Sequence, residues 1–285
     1  MLRMHRDRIK KQGRRRLLFQ LAAAALFNGY FIGFAKGKIF QGKSKAICVP
    51  VLNCYSCPGA LGACPVGSLQ STLGQGKFPF YILGMLMLFG LLLGRTVCGL
   101  LCPFGLVQDL LSRIPVKKLT VPKKADKVLR WLKYAVLLVL VLALPALVRP
   151  YGVGAPWFCK YLCPAGTLEG GIPLLLANST LRQAMGAIFS WKAAVLIVIL
   201  VLSVLIPRPF CRYLCPLGAF YGLFSRFSLV HMQLNEKACT HCRSCHAVCP
   251  MALEPDAGGL DSAECIRCGA CAAACPADSI ARICR

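Results

Sequence analysis

Apolar and polar positions alternate along the chain in long blocks, not with the short period of a soluble helix or strand. Four almost uncharged stretches, at 17–35, 78–94, 134–148 and 193–206, are separated by segments rich in Lys, Gly, Pro and Cys. A helix needs about 20 mostly apolar residues, within a range of about 17–25, to cross the hydrocarbon core of a bilayer. The first two stretches reach that length directly. The third and fourth reach it by recruiting 131–133 and 189–192, whose lysines can extend to the interface. The pattern predicts an α-helical polytopic membrane protein with about four transmembrane helices. The first stretch is longer than the roughly 7–15-residue apolar core of a secretory signal, which predicts a retained anchor.

An internal repeat runs through this pattern. Arg95-Thr-Val-Cys98-Gly-Leu-Leu-Cys102-Pro-Phe-Gly ends shortly afterwards at Ser112-Arg113, and Arg208-Pro-Phe-Cys211-Arg-Tyr-Leu-Cys215-Pro-Leu-Gly ends at the same spacing at Ser225-Arg226. A weaker copy sits in the other loops, as Cys64-Pro-Val-Gly and Cys159-Lys-Tyr-Leu-Cys163-Pro-Ala-Gly. Two parallel repeats about an axis along the membrane normal are expected. The organisation read from this is a basic arm (1–16), a first membrane repeat (17–114), a basic linker (115–130), a second membrane repeat (131–227) and a cysteine-rich tail (228–285).

Composition agrees with a chain largely out of water. It is 57% hydrophobic and 15% charged, against about 25% charged in soluble domains. The formal charge of +24 would suggest nucleic acid, but its placement does not. Eight Lys/Arg precede Leu17 and nine lie between Arg95 and Lys133, against five in 36–77 and four in 149–192. Basic flanks stay in the cytoplasm, so the N-terminus, the 95–130 loop and everything after Ile206 are expected there. The loops at 37–77 and 149–188 are expected outside. The protein is read as multi-pass in the cytoplasmic membrane, with no nucleic-acid partner.

The 19 cysteines are grouped at metal-ligand spacings, unlike the disulfide frameworks of small secreted domains. The tail reads Cys239-x2-Cys242-x2-Cys245-x3-Cys249-Pro and again Cys265-x2-Cys268-x2-Cys271-x3-Cys275-Pro. This is the bacterial two-cluster ferredoxin run, in which the fourth cysteine of each run ligates the other 4Fe–4S cluster. Cys239, Cys242, Cys245 and Cys275 are thus assigned to one cluster, and Cys265, Cys268, Cys271 and Cys249 to the other, in a C-terminal α+β ferredoxin domain. Zinc would use two cysteine pairs and leave the other thiols of each run unexplained.

Cys98/Cys102 and Cys211/Cys215 each place two thiols one helical turn apart. Each repeat supplies half the ligands of a third cluster on the pseudo-twofold axis; the alternatives are a disulfide within each pair, a thiol relay, or bound copper or zinc. On the outer side, Cys57, Cys64, Cys159 and Cys163 form a candidate fourth set, with Cys54 competing for a ligand place and structural disulfides as the alternative. Cys48 and Cys284 belong to no motif. A helix over 78–94 would rise about 26 Å. The inner and outer sets would then be far apart unless the outer loop dips into the membrane or another group bridges them.

The paired Cys-x3-Cys-Pro motifs at 98–103 and 211–216, together with the tail, resemble the NapH-type membrane ferredoxins and the C-terminal part of NosR-type proteins, over roughly residues 15–285. The resemblance implies four spanning helices, cytoplasmic clusters, and electron exchange between a quinol pool or soluble donor and a respiratory partner. Cysteines 54, 57, 64, 159 and 163 depart from that pattern and no flavin-binding domain is visible, so no particular respiratory pathway follows. The expected function is a membrane-bound iron–sulfur relay between a cytoplasmic or quinone donor or acceptor and a redox partner such as a flavoprotein or ferredoxin. The competing reading is a redox sensor or metal-handling accessory protein. No phosphate loop, dinucleotide motif, nucleophile–base arrangement or haem-attachment motif is present. From Leu234 onward the tail has five basic and six acidic residues, and thiolate-ligated clusters would make it acidic, so a basic patch on the partner is expected.

Overall fold

The computed structural model describes residues 2–183 and 185–284; Met1, Ala184 and Arg285 lie outside the described residues. The first helix, Leu2–Phe27, carries the basic arm and the first apolar stretch in one rod. It stops at Phe27 instead of running to Ala35, and a separate short helix, Phe31–Lys36, follows. The break has a visible cause. Residues 57–61 press against it: the Leu61 N–H donates to Phe27 O at 2.9 Å and the Tyr30 N–H to Gly59 O at 3.2 Å. A Cβ on Gly29 would lie 3.1 Å from the Leu61 side chain.

The second apolar helix, Phe80–Leu92, has 13 residues, a rise of about 20 Å. The third runs without interruption through Lys123–Ala135, a π-helical stretch Val136–Ala143 and Leu144–Leu147. The fourth is Ala187–Leu205. The rods Lys123–Leu147 and Ala187–Leu205 are long and apolar enough to cross a membrane. Leu138 and Val139 on one rod, and Ile197, Val198 and Val201 on the other, point outward and stay exposed. So do Leu18, Phe19, Phe80 and Leu88 on the shorter apolar segments. Exposed apolar surface on this scale marks an interaction or membrane face.

Each Cys-Pro-x-Gly step starts a helix, because proline at the first helical position has no N–H to leave unsatisfied. Cys102 precedes Pro103–Leu111 and Cys215 precedes Pro216–Phe224. The repeat seen in the sequence closes through two fully buried arginines that cross over. Arg95 donates to Cys211 O at 3.3 Å, and Arg208 donates to Cys98 O at 2.7 Å. Arg208 also grips Asp109 bidentately, at 2.8 and 2.6 Å. Gly105 and Gly218 make room: a Cβ on either would sit 3.1 or 3.2 Å from the incoming guanidinium.

The acids that answer these arginines break the symmetry. Asp109 follows Cys102 by seven residues, and the matching position after Cys215 is Gly222. A Cβ on Gly222 would lie 3.2 Å from Ala263 O. The tail occupies that notch and brings Glu264, which accepts from Arg95 at 2.9 Å and pairs with Lys133. Tail residue Arg267 donates to the Ser225 carbonyl and Ser228 hydroxyl, and the Ile266 carbonyl abuts Gly99. Within the tail, strands Val230–Leu234 and Ile280–Cys284 pair antiparallel, Met232 opposite Arg282, and frame two short helices, Ser244–Ala247 and Ala270–Ala274. The arm lies on the tail: Gln12 donates to Cys268 O at 3.0 Å, and Arg8 meets Asp278 at 2.5 Å.

Removing one member of a buried ion pair strands the other, at a cost of about 3–5 kcal/mol. Glu264→Gln, which leaves Arg95 and Lys133 without a carboxylate, is therefore expected to lower the unfolding temperature clearly and to expose the chain around Phe227 to limited proteolysis. Glu254→Gln, whose carboxylate meets Lys123 at the surface, is expected to change neither. Equal behaviour of the two variants would show that Glu264 does not hold the tail in place.

Candidate iron–sulfur sites

The tail cysteines gather around two small cavities. One is lined by Cys239, Cys242, Cys245 and Cys275, the other by Cys249, Cys265, Cys268 and Cys271. Three members of each group come from one run and the fourth from the other run. The backbone repeats with them. The residues flanking the second cysteine of each run are left-handed, His241 (φ 49°) and Arg243 (φ 58°) in one, Arg267 (φ 51°) and Gly269 (φ 76°) in the other. The third residue after the last cysteine is left-handed too, Ala252 (φ 46°) and Asp278 (φ 48°). For a residue with a Cβ that conformation costs about 1–2 kcal/mol, and it persists where the surroundings over-determine it. What it achieves is visible: the Leu253 N–H donates to Cys249 Sγ and the Ser279 N–H to Cys275 Sγ, both at 3.4 Å. The two groups differ in exposure. Cys242 is exposed, whereas Cys265 and Cys268 are buried against Gly99 and the N-terminal arm.

Cys98, Cys102, Cys211 and Cys215 are all buried and lie within electrostatic reach of one another. Burial pushes the Cys98, Cys102 and Cys215 thiols up, while Arg95 and Arg208 beside them pull in the opposite sense on Cys98. Gln108 Nε2 donates to Cys211 Sγ at 3.1 Å, and the Gly218 N–H donates to Cys215 Sγ at 3.4 Å.

Of the remaining cysteines, Cys54, Cys64, Cys159 and Cys163 line a cavity of about 610 Å³. A Cβ on Gly166 would touch Cys54 Sγ at 3.6 Å and Cys163 Sγ at 3.7 Å, and one on Gly67 would touch Cys159 Sγ at 3.7 Å. Cys57 does not line this cavity; its thiol donates to Asn28 Oδ1 at 3.4 Å, at the break in the first helix. Burial pushes Cys64 up to about 12 and Cys159 to about 11. Glu169, on the π-helical turn Gly166–Gly171, accepts from the Cys54 N–H at 2.9 Å, and desolvation raises it to about 8. Cys48 is buried beside Ala63, and Cys284 is exposed on the last strand. In the tail, His246 pairs with Asp256 next to Cys245.

All four groups offer four sulfurs each. A buried thiol ionises only against a compensating positive centre, and an iron–sulfur core bound through thiolates supplies one. The glycine-lined approaches and the N–H groups aimed at sulfur also fit such a core.

Four side chains matter that the motifs did not predict as a set. Each Cys-Pro-x-Gly step is followed, six residues after its cysteine, by Gln70, Gln108, Glu169 or Tyr221. The first two reach a cysteine sulfur, the third a cysteine N–H, and the fourth crosses between groups. Tyr221 is fully buried and its hydroxyl donates to Pro50 O at 2.9 Å. It lies within electrostatic reach of Cys64 on one side and of Cys98, Cys102 and Cys215 on the other. The loop at Pro50 therefore folds back onto the helix that follows Cys215, and the second apolar helix, at 13 residues, is shorter than the stretch 78–94. The common offset from four cysteines was the available signal.

Comparison with known proteins agrees with this geometry. The model of a 4Fe–4S binding domain matches residues 76–122, 135–175 and 188–234, and that of a 4Fe–4S dicluster domain matches 231–276. An uncharacterized protein of Methanocaldococcus jannaschii is 33% identical over 199 residues, covering 67% of this chain and 74% of its own length. The methylamine utilization ferredoxin-type protein MauN of Paracoccus denitrificans is 35% identical over 167 residues, 57% of this chain and 51% of that protein. The ferredoxin-type protein NapH of Haemophilus influenzae is 28% identical over 173 residues, 59% and 52% of the respective chains. The chain thus spans about three quarters of the first relative and about half of the other two. No solved structure matches it. With its repeated Cys-Pro-x-Gly steps and crossed cysteine runs, the chain belongs to the NapH/NosR-like family of ferredoxin-type proteins and carries multiple 4Fe–4S clusters.

Proposed function

We propose that this protein is a membrane-embedded electron relay with four 4Fe–4S sites in series. Cys239, Cys242, Cys245 and Cys275 hold the first, and Cys249, Cys265, Cys268 and Cys271 the second. Cys98, Cys102, Cys211 and Cys215 hold the third, and Cys54, Cys64, Cys159 and Cys163 the fourth, with Cys54 taking the place that spacing alone gave to Cys57. When bound, such clusters supply one-electron redox centres; the chain's part is to set them in order and keep water out. The observation that carries this reading is the succession of neighbouring groups. It runs from exposed Cys242, through the Cys265–Cys268 turn seated on Gly99, to the Cys98 group, and across Tyr221 to the Cys64 group.

Residues 17–114 and 131–227 serve as the two membrane repeats, 115–130 as their basic linker and 228–285 as the docked tail. The chain crosses the membrane four times, and the packing of the arm on the tail supports both lying on one side, the cytoplasmic one by the placement of Lys and Arg. A redox protein or a soluble carrier exchanges electrons at Cys242, and a quinone or second protein at the far end. Next to the tail cysteines, Arg8, Lys11, Arg15 and Arg282 line a hollow of about 500 Å³. The arm therefore makes one face of the tail basic, which supports an acidic partner there in place of the basic one expected from the tail's own charge.

Iron and acid-labile sulfide counts on anaerobically purified protein test the ligand sets. Cys98→Ser and Cys211→Ser are each expected to remove the same single cluster, and Cys54→Ser a different one, whereas Cys57→Ser keeps the full iron content. Unchanged iron in Cys98→Ser and Cys211→Ser would refute the third site. Loss of a cluster in Cys57→Ser but not in Cys54→Ser would exchange those two residues.

The relay itself is tested by stopped-flow reoxidation. Dithionite-reduced protein is expected to be reoxidised rapidly by a quinone analogue or an oxidised ferredoxin. Clusters that stay reduced with both oxidants would favour a sensor or metal-handling role instead.

A further inference from the structure

Two glutamines repeat one another across the two membrane-side cysteine groups. Gln70 and Gln108 each stand six residues after a Cys-Pro cysteine, and both are 0% exposed. The side-chain oxygen of Gln108 accepts from the Phe210 N–H at 3.2 Å while its nitrogen donates to Cys211 Sγ at 3.1 Å. The Gln70 oxygen accepts from the Phe158 N–H at 2.9 Å while its nitrogen donates to Cys159 Sγ at 3.3 Å. The orientation of each amide is fixed by chemistry: a backbone N–H can only donate, so the amide oxygen must face phenylalanine and the NH2 group must face sulfur. The second proton of each NH2 is taken by a carbonyl of the glutamine's own helix, Val66 O at 3.2 Å and Phe104 O at 3.4 Å. Every strong hydrogen-bonding atom of two buried amides is thus used, and in both one amide proton is directed at a cysteine sulfur.

We propose that Gln70 and Gln108 are positioning residues that raise the reduction potentials of the clusters held by Cys159 and Cys211, each by donating one amide hydrogen bond to a ligating sulfur. Hydrogen bonds to cluster sulfurs stabilise the more negative, reduced state and so favour reduction. At the corresponding position in the other half of each site stand Glu169 and Tyr221, and neither directs a hydrogen bond to sulfur among the described contacts. The side-chain donor to each cluster thereby comes from one side only, a residue of the first repeat acting on a cysteine of the second, beside the backbone N–H groups of Gly166 and Gly218. The inference rests on the assignment of clusters to these two groups.

The test is an EPR-monitored redox titration of the full-length, anaerobically purified chain. Gln108→Leu and Gln108→Met both remove the amide donor without adding charge. Both are expected to shift the midpoint of one cluster to more negative potential at unchanged iron content, and Gln70→Leu and Gln70→Met to shift a different one. Cys211→Ser and Cys159→Ser identify the two signals by removing them. Full iron content with every midpoint at its wild-type value would overturn the proposal. If Cys211→Ser and Cys159→Ser leave iron and spectra intact, the cluster assignment fails instead. A measurement without substitution decides the case where variants lose iron: in wild-type protein labelled with 15N at the glutamine side chain, pulsed EPR of the reduced clusters is expected to show nitrogen coupling. Its absence would also overturn the proposal.

Discussion

Charge has to be buried in this protein, and the buried carboxylates Asp109, Asp126 and Glu264 each answer two cations. Two arginines with no exposed surface, Arg95 and Arg208, sit beside the Cys98 group, and each is answered by a carboxylate and by a carbonyl of the opposite repeat. Removing a guanidinium from water is costly unless a partner with good geometry awaits it. The crossed arrangement therefore ties the two repeats together. The tail's position follows from the same requirement, because Glu264 is the acid that Arg95 and Lys133 need and that the second repeat's own helix lacks.

What could be read from the sequence was whatever is local. The crossed cysteine runs of the tail, the Cys98 and Cys211 motifs and the apolar rods Lys123–Leu147 and Ala187–Leu205 all follow from short-range spacing or unbroken hydropathy. The end of the first helix is not set locally: its apolar run continues past Phe27, and residues 57–61, distant in sequence, decide where it stops. The choice between Cys54 and Cys57 was equally out of reach. Both precede Cys64 in a loop without periodicity, and only the fold turns one toward the cavity and the other toward Asn28.

The four Cys-Pro-x-Gly steps show how one local solution was used repeatedly and then specialised. In each, proline starts a helix and glycine leaves a gap beside the cysteine. In the Cys98 group the gap admits an arginine, in the Cys64 group the sulfurs of its neighbours. The residue six positions on then sets the character of the site as amide, carboxylic acid or phenol. A pattern of fixed frame and variable sixth residue is invisible to a search for metal-ligand spacing alone, because none of the variable residues is itself a ligand type shared by all four.

The packing of the first helix on the tail also has a temporal side. Arg8 and Gln12 find their partners in Asp278 and in the turn at Cys268, 270 and 256 residues further along the chain. During synthesis the arm must therefore wait, without these partners, until the tail has been made. Until then the turn at Cys268 lies open on the side that Gln12 later covers.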